Sequence, residues 1–189
     1  MKAQRRQSSL KLTVLLSAVS AIGIILGKLL AFNVTDFMRF SLENVTIIFT
    51  GIVLGPAWGA AVGAVQDLVG CLVVGYAINP IITLGCAATG AVSGLVHGLP
   101  LKLSRVPRLS LSVFTSHLIG SVLIKSAGLA IFYSLPLGIT LAWRSLNYVI
   151  VGTAEVIVLH FLLKSKYLLS EISKIHPISV NKGDNKDDL

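Results

Sequence analysis

Apolar residues run along this chain in long blocks, and short polar clusters break the blocks at turn-like intervals. Six blocks stand out, at 10–32, 43–55, 57–75, 80–101, 110–134 and 141–163. Most approach the roughly 20 residues a helix needs to cross the hydrocarbon core of a bilayer, so each is expected to be a membrane-spanning helix, the second a short one. Gly55-Pro56 forms the corner between the second and third helices. Asn79-Pro80 opens the fourth with a Pro in its first turn, where a missing N–H is tolerated. The pattern predicts an all-α membrane protein: a basic N-terminal stretch over 1–9, a six-helix transmembrane bundle over 10–168, and a polar tail over 169–189 that is expected to be disordered.

Composition agrees with that reading. Of 189 residues 54% are hydrophobic and 13% charged, against a charged share of about 25% in an average globular domain, and the mean hydropathy is +0.83. The first block is too long for the apolar core of a signal peptide and lacks a small-residue cleavage site, so it is read as a retained first helix. A net charge of +8 points to nucleic acid only until the charges are located. Lys2, Arg5, Arg6 and Lys11 precede the first helix, Lys102, Arg105 and Arg108 lie between the fourth and fifth, and Lys164, Lys166, Lys174, Lys182 and Lys186 follow the sixth. With an even number of spans these clusters share one side, and the positive-inside rule places both termini in the cytoplasm of a multi-pass cell-membrane protein. The expected surroundings are lipid, with no nucleic acid partner. Cys71 and Cys86 fall inside spans and are read as small packing residues, so no disulfide framework or metal site is implied.

The same topology gives the polar residues inside the spans a depth. Lys28 falls near the outer end of helix 1, and the following connector contributes Asp36, Arg39 and Glu43. Gln66 and Asp67 lie in the outer part of helix 3, Tyr76 and Asn79 in the next outer connector, and Lys125 in the outer half of helix 5. Helix 6 begins outside with Trp143, Arg144, Asn147 and Tyr148, and Glu155 lies nearer its middle. A carboxylate at the centre of a membrane helix is about 2.5–3.5 kcal/mol uphill, so Asp67 marks a functional site by default. Gathering both signs of charge at one end predicts a cavity open to the outside. Gly59, Gly63 and Asp67 share a small-residue face, Arg144, Asn147, Tyr148, Gly152 and Glu155 share another, and Ser121, Lys125 and Gly128 a third; such faces pack against helices. The competing reading is that the charges only pair with one another to hold the bundle. On helix 1, Thr13, Ser17 and Ala21 repeat every four residues and Gly23 and Gly27 form a GxxxG. Either a helix of this chain or a separate membrane protein would fill such a groove.

Enzyme readings are weak. Ser93 and His160 resemble the Ser–His dyad of rhomboid proteases, but Ala91-Val92-Ser93-Gly94 lacks the expected Gly-x-Ser-Gly and both residues fall away from the polar end. No HExxH metal spacing or phosphate-binding Walker loop is present. No catalytic residue, cofactor or metal is expected.

Six spans in under 200 residues, an outer polar pocket and a small-residue stripe on helix 1 resemble the substrate-binding S components of energy-coupling factor (ECF) transporters. Within this group, Arg39-Phe40-Ser41, Gly55-Pro56, Asp67-Leu68-Val69-Gly70 and Asn79-Pro80 are similar to the folate-family members. The resemblance implies capture of a vitamin, most of all folate, from outside the cell, by the membrane-embedded specificity subunit of an ATP-driven importer. Its implied partners are a transmembrane T component, docking on the helix-1 stripe that Thr13, Ser17 and Ala21 occupy here, and two ATPase subunits. A pterin presents an N–H and an amine side by side, which Asp67 or Glu43 can accept. The glutamate tail is a dianion that Arg39, Lys125 or Arg144 can pair with, and Phe37, Phe40, Tyr76, Trp143 and Tyr148 can stack on the flat ring. The segment Phe37–Ser41 is expected to act as a lid. The candidate substrate-binding set is Arg39, Phe40, Ser41, Glu43, Asp67, Asn79, Lys125, Arg144, Asn147 and Tyr148. Pantothenate, thiamin or a queuosine precursor are alternative ligands, and a structural membrane subunit is the alternative of another class.

Overall fold

The computed structural model describes residues 2–33 and 39–177, and side chains over 9–28, 30–31 and 40–177. Among the described residues the chain folds into seven helices and one small strand pair. Helix α1 (Lys2–Ile24) continues as a π-helical stretch, Ile25–Leu29. Strands β1 (Phe32–Asn33) and β2 (Arg39–Phe40) pair antiparallel, Phe32 opposite Phe40. Then follow α2 (Glu43–Leu54), α3 (Pro56–Val74) and α4 (Pro80–Gly98). Helix α5 (Arg105–Tyr133) runs without a break but is π-helical over His117–Ile124. Helix α6 (Leu137–Lys164) and the short α7 (Lys166–Ser173) complete the fold.

Five helices, α1 and α3–α6, are long and apolar enough to cross a membrane, and the molecule is a multi-pass membrane protein. Helix α2 differs. Its 12 residues rise about 18 Å, well short of the ~30 Å hydrocarbon core, and every residue from Asn44 to Leu54 is buried. It is the central strut on which the longer helices pack.

The packing is close because glycines face glycines. A Cβ on Gly90 would come within 2.1 Å of the Gly59 carbonyl oxygen, one on Gly63 within 2.3 Å of the Cys86 carbonyl, and one on Gly94 within 2.4 Å of the Gly51 carbonyl. These positions bring the backbones of α2, α3 and α4 into contact, as small-residue faces do in lipid. The largest apolar core joins Leu12, Ile48, Phe49, Ile52 and Val53 to Leu109, Val113, Leu159, Leu163 and Ile172. It occupies the end of the bundle where α1 starts and α6 finishes.

Several boundaries differ from the apolar blocks. Helix α5 begins at Arg105, five residues before the block at 110, because Pro107 falls in its first turn, where no N–H is required. Arg105 and Arg108 therefore belong to a helix and not to the expected loop. Arg105 donates to the Leu163 carbonyl at the end of α6 and Arg108 to the Leu101 carbonyl. Helix α7 carries regular structure past residue 168, where the polar tail was expected to begin; Ile172 is buried and Trp58 meets His176 edge to face. Residues 178–189 of that tail lie outside the described residues.

Candidate ligand-binding site

At the end of the bundle opposite the main apolar core, where α1, α3 and α5 finish and α2, α4 and α6 begin, polar side chains converge on a cavity of about 160 Å³. Helix α3 brings Asp67, only 3% exposed, whose Oδ2 accepts a 2.6 Å hydrogen bond from the Thr83 hydroxyl of α4. Helix α2 brings Glu43 at its first position, beside Ser41. Helix α5 contributes Lys125, 7% exposed, and α6 contributes Arg144, Asn147 and Tyr148 on successive turns of one face.

Three cavity residues were not in the sequence-based set: Lys28, Cys86 and the apolar Ile82 of α4. Lys28, from the π stretch after α1, sits with Nζ 4.0 Å from Glu43 Oε2. Cys86 of α4, read as a packing residue, also lines the cavity. The signal for Lys28 was its depth, which matched that of Asp67. Its route could not be read from the sequence: a Cβ on Gly70 would lie 2.7 Å from Lys28 Cε, and one on Gly85 would lie 2.6 Å from Lys125 Cγ. Glycines on neighbouring helices thus leave lanes along which two lysine stems reach the cavity.

The set from sequence is mostly brought together. Ser41, Glu43, Asp67, Lys125, Arg144, Asn147 and Tyr148 line the one cavity. Phe40 lines an adjoining apolar groove of about 290 Å³, with Leu26, Leu30, Leu42, Ile150, Val151 and Ala154; Ser41 borders both spaces. Asn79 does not line the cavity. Its Oδ1 caps α4 through Ile81 and Ile82, and its Nδ2 donates to the Gly128 carbonyl at 3.1 Å, tying α4 to α5. The side chain of Arg39 and all of Asp36 and Phe37 lie outside the described residues, so the expected lid is described only from β2 onward. Gln66 turns away and bonds the Thr46 hydroxyl at 2.9 Å, joining α3 to α2.

Among the described residues, two carboxylates, Glu43 and Asp67, and three cations, Lys28, Lys125 and Arg144, stand around the cavity. The surplus of positive charge favours an anionic ligand, and the carboxylates offer acceptors for paired N–H donors. Low-dielectric surroundings make both interactions stronger than in water. Arg144 is held ready: its Nε donates to the Ser121 carbonyl at 3.0 Å, a terminal nitrogen donates to the Tyr148 hydroxyl at 3.3 Å, and the guanidinium lies 5.4 Å from the Tyr148 ring centre.

The two helix-1 stripes part company. A Cβ on Gly23 would strike Gln66 and Thr46, and one on Gly27 would strike Glu43, so the GxxxG faces inward. Thr13, Ser17 and Ala21 are exposed. The Thr13 hydroxyl donates to the Ser9 carbonyl of its own helix, which leaves a smooth outward stripe. Ser93 donates to Gly90 within α4 and no bond joins it to His160.

No family model and no curated protein matches the chain. Solved structures do. The crystal structure of FolT bound with folic acid superposes with a TM-score of 0.67 at 24% identity, over 84% of this chain and 96% of that one. The S component of a bacterial ECF transporter superposes with a TM-score of 0.58 at 20% identity, over 92% of this chain and 99% of that one. The fold is therefore that of an S component.

Proposed function

We propose that this protein is a folate-family S component, the subunit that captures a folate-like vitamin from outside the cell for an ATP-driven ECF importer. The observation that carries the reading is the cavity in which Asp67 and Glu43 stand among Lys28, Lys125 and Arg144 at one end of the bundle. A structural subunit has no need to gather buried charges of both signs around an empty space. The likeness to a protein bound with folic acid supports the ligand class. In this reading Asp67 or Glu43 accepts the paired donors of the pterin, and Lys125 and Arg144 meet the carboxylates of the glutamate tail. Lys28 balances Glu43. Tyr148 and Phe40 supply flat surfaces for the ring system.

The cavity is smaller than the ~300–1,000 Å³ usual for ligand sites, whereas the apolar groove beside it shares Ser41. Displacing the Phe40–Leu42 segment would merge the two spaces, one polar and one apolar. That combination suits a ligand with a polar head and an aromatic arm.

The remaining parts of the reading follow from topology. The basic clusters put both termini in the cytoplasm, with α2 counted as a sixth, short transmembrane element and the cavity facing outward. The exposed Thr13–Ser17–Ala21 stripe is the docking face for a T component, and two ATPase subunits supply the energy. The protein itself performs no chemistry.

Thermal-shift screening of the purified protein against a vitamin panel tests the ligand. Folic acid is expected to raise the melting temperature by several degrees at concentrations well above its dissociation constant, and pantothenate and thiamin to leave it unchanged. Stabilisation by another vitamin alone would reassign the substrate, and stabilisation by none would remove the capture reading.

A further inference from the structure

Behind the cavity lies a buried ionisable couple that the binding scheme does not use. His117, 1% exposed, sits in the π-helical stretch of α5, and Glu155, fully buried, sits on α6. His117 Nε2 is hydrogen-bonded to Glu155 Oε2 across the two helices, while Nδ1 lies 3.2 Å from the Ser121 hydroxyl. The imidazole is stacked on the Tyr148 ring with centres 4.6 Å apart and planes inclined by 25°. Both groups that hold Arg144, the Ser121 carbonyl and Tyr148, therefore belong to residues that His117 touches.

Packing alone does not fix Tyr148. Besides the ligand cavity it borders a second one of about 260 Å³, which His117 also lines together with Phe114, Leu118, Val122, Ser145 and Val149. A ring that borders two open spaces can turn unless something directional holds it. The stacked imidazole does so, and its orientation is set in turn by Glu155.

We propose that the His117–Glu155 couple is a positioning device for the ligand site, holding Tyr148 and Arg144 in the arrangement that receives the anionic end of the ligand. The inference rests on the folate-capture reading above. Supporting groups behind a binding residue act in this way by locking its rotamer before the ligand arrives.

The test uses the full chain in detergent or nanodiscs, with folic acid as the probe and affinity read by calorimetry. The double variant His117→Phe, Glu155→Leu replaces the couple with apolar side chains of similar size, an exchange that often leaves stability intact. Its melting temperature without ligand is expected to stay near that of the wild type while folic acid binds at least tenfold more weakly. In an Arg144→Gln background the same exchange is expected to weaken binding less than threefold, because the group it serves is gone. Should the double variant not fold, Glu155→Leu leaves an imidazole still bonded to Ser121 and is expected to bind at least fivefold more weakly. Glu155→Gln, which keeps an acceptor for the imidazole, should return to within threefold of the wild type. Wild-type binding with variants within twofold of it, or a full tenfold loss in the Arg144→Gln background, overturns the positioning role alone. Failure of the wild type to bind folic acid overturns the capture reading and this inference with it.

Discussion

Asp67 shows how much one side chain carries here. It is almost fully buried, yet among the described residues its carboxylate is bonded by a neutral hydroxyl, that of Thr83. The group lines a cavity in company with cations, and in the proposed reading it accepts donors from the ligand. Asp67→Asn keeps the size and an acceptor for Thr83, so the fold should change by less than about 1 kcal/mol. Losing a charge-assisted pair in the site costs about 1.5–3 kcal/mol, a fall in folate affinity of about tenfold to a hundredfold. Calorimetric titration beside a melting curve measures both, and an unchanged affinity would remove Asp67 from the site. Lys28 and Lys125 depend on residues that have no side chain at all, because Gly70 and Gly85 make room for their stems.

At the scale of elements, the two π-helical stretches and the buried strut α2 shape the site. A π turn replaces i→i+4 bonding with i→i+5 and shifts the phase of everything after it, and such turns often occur at functional sites. One of them contains Lys28, and the other contains His117 and Ser121 and leads directly into Lys125. Helices α2, α3 and α4 are held together by backbone proximity, and that proximity is fragile, most of all where α3 meets α4. Gly90→Val would drive a branched side chain into the Gly59 carbonyl, 2.1 Å from its Cβ, where neither backbone can yield. Overpacking of this kind costs about 1–3 kcal/mol or more. The variant is expected to give a lower melting temperature and a poor yield of monodisperse protein, and a wild-type melting curve would contradict the packing described.

The interior of the bundle holds its polar cavity at one end and its main apolar core at the other, with a smooth stripe along the outer face of α1. In the folate-capture reading proposed above, the cavity and the stripe serve two separate functions. Ser17→Trp puts a large ring on an exposed surface remote from the cavity, so folate affinity should remain within twofold of the wild type. If the stripe docks a T component, uptake of labelled folate by cells expressing the complete transporter should fall at least tenfold. Uptake at the wild-type rate would place the docking face elsewhere.

Hydropathy alone was enough to identify the six longer helices and the membrane setting, though not the short α7, because burial in lipid demands long apolar runs whatever the neighbours are. The end at which polar groups collect was legible for the same reason, since few ionisable residues interrupt those runs and each has a definite depth. Depth is a one-dimensional property; direction around a helix is not. Only the tertiary structure decided that Gly23 and Gly27 face inward while Thr13, Ser17 and Ala21 face out. It also decided that Asn79 caps a helix instead of lining the cavity, and that Glu155 turns to His117 rather than to the ligand end. The π turns add to this for Lys28, His117 and Ser121, because an extra residue in the turn changes which side chains share a face and leaves no mark in hydropathy. The rest follows from which helices meet, a choice made by glycines whose partners lie tens of residues away.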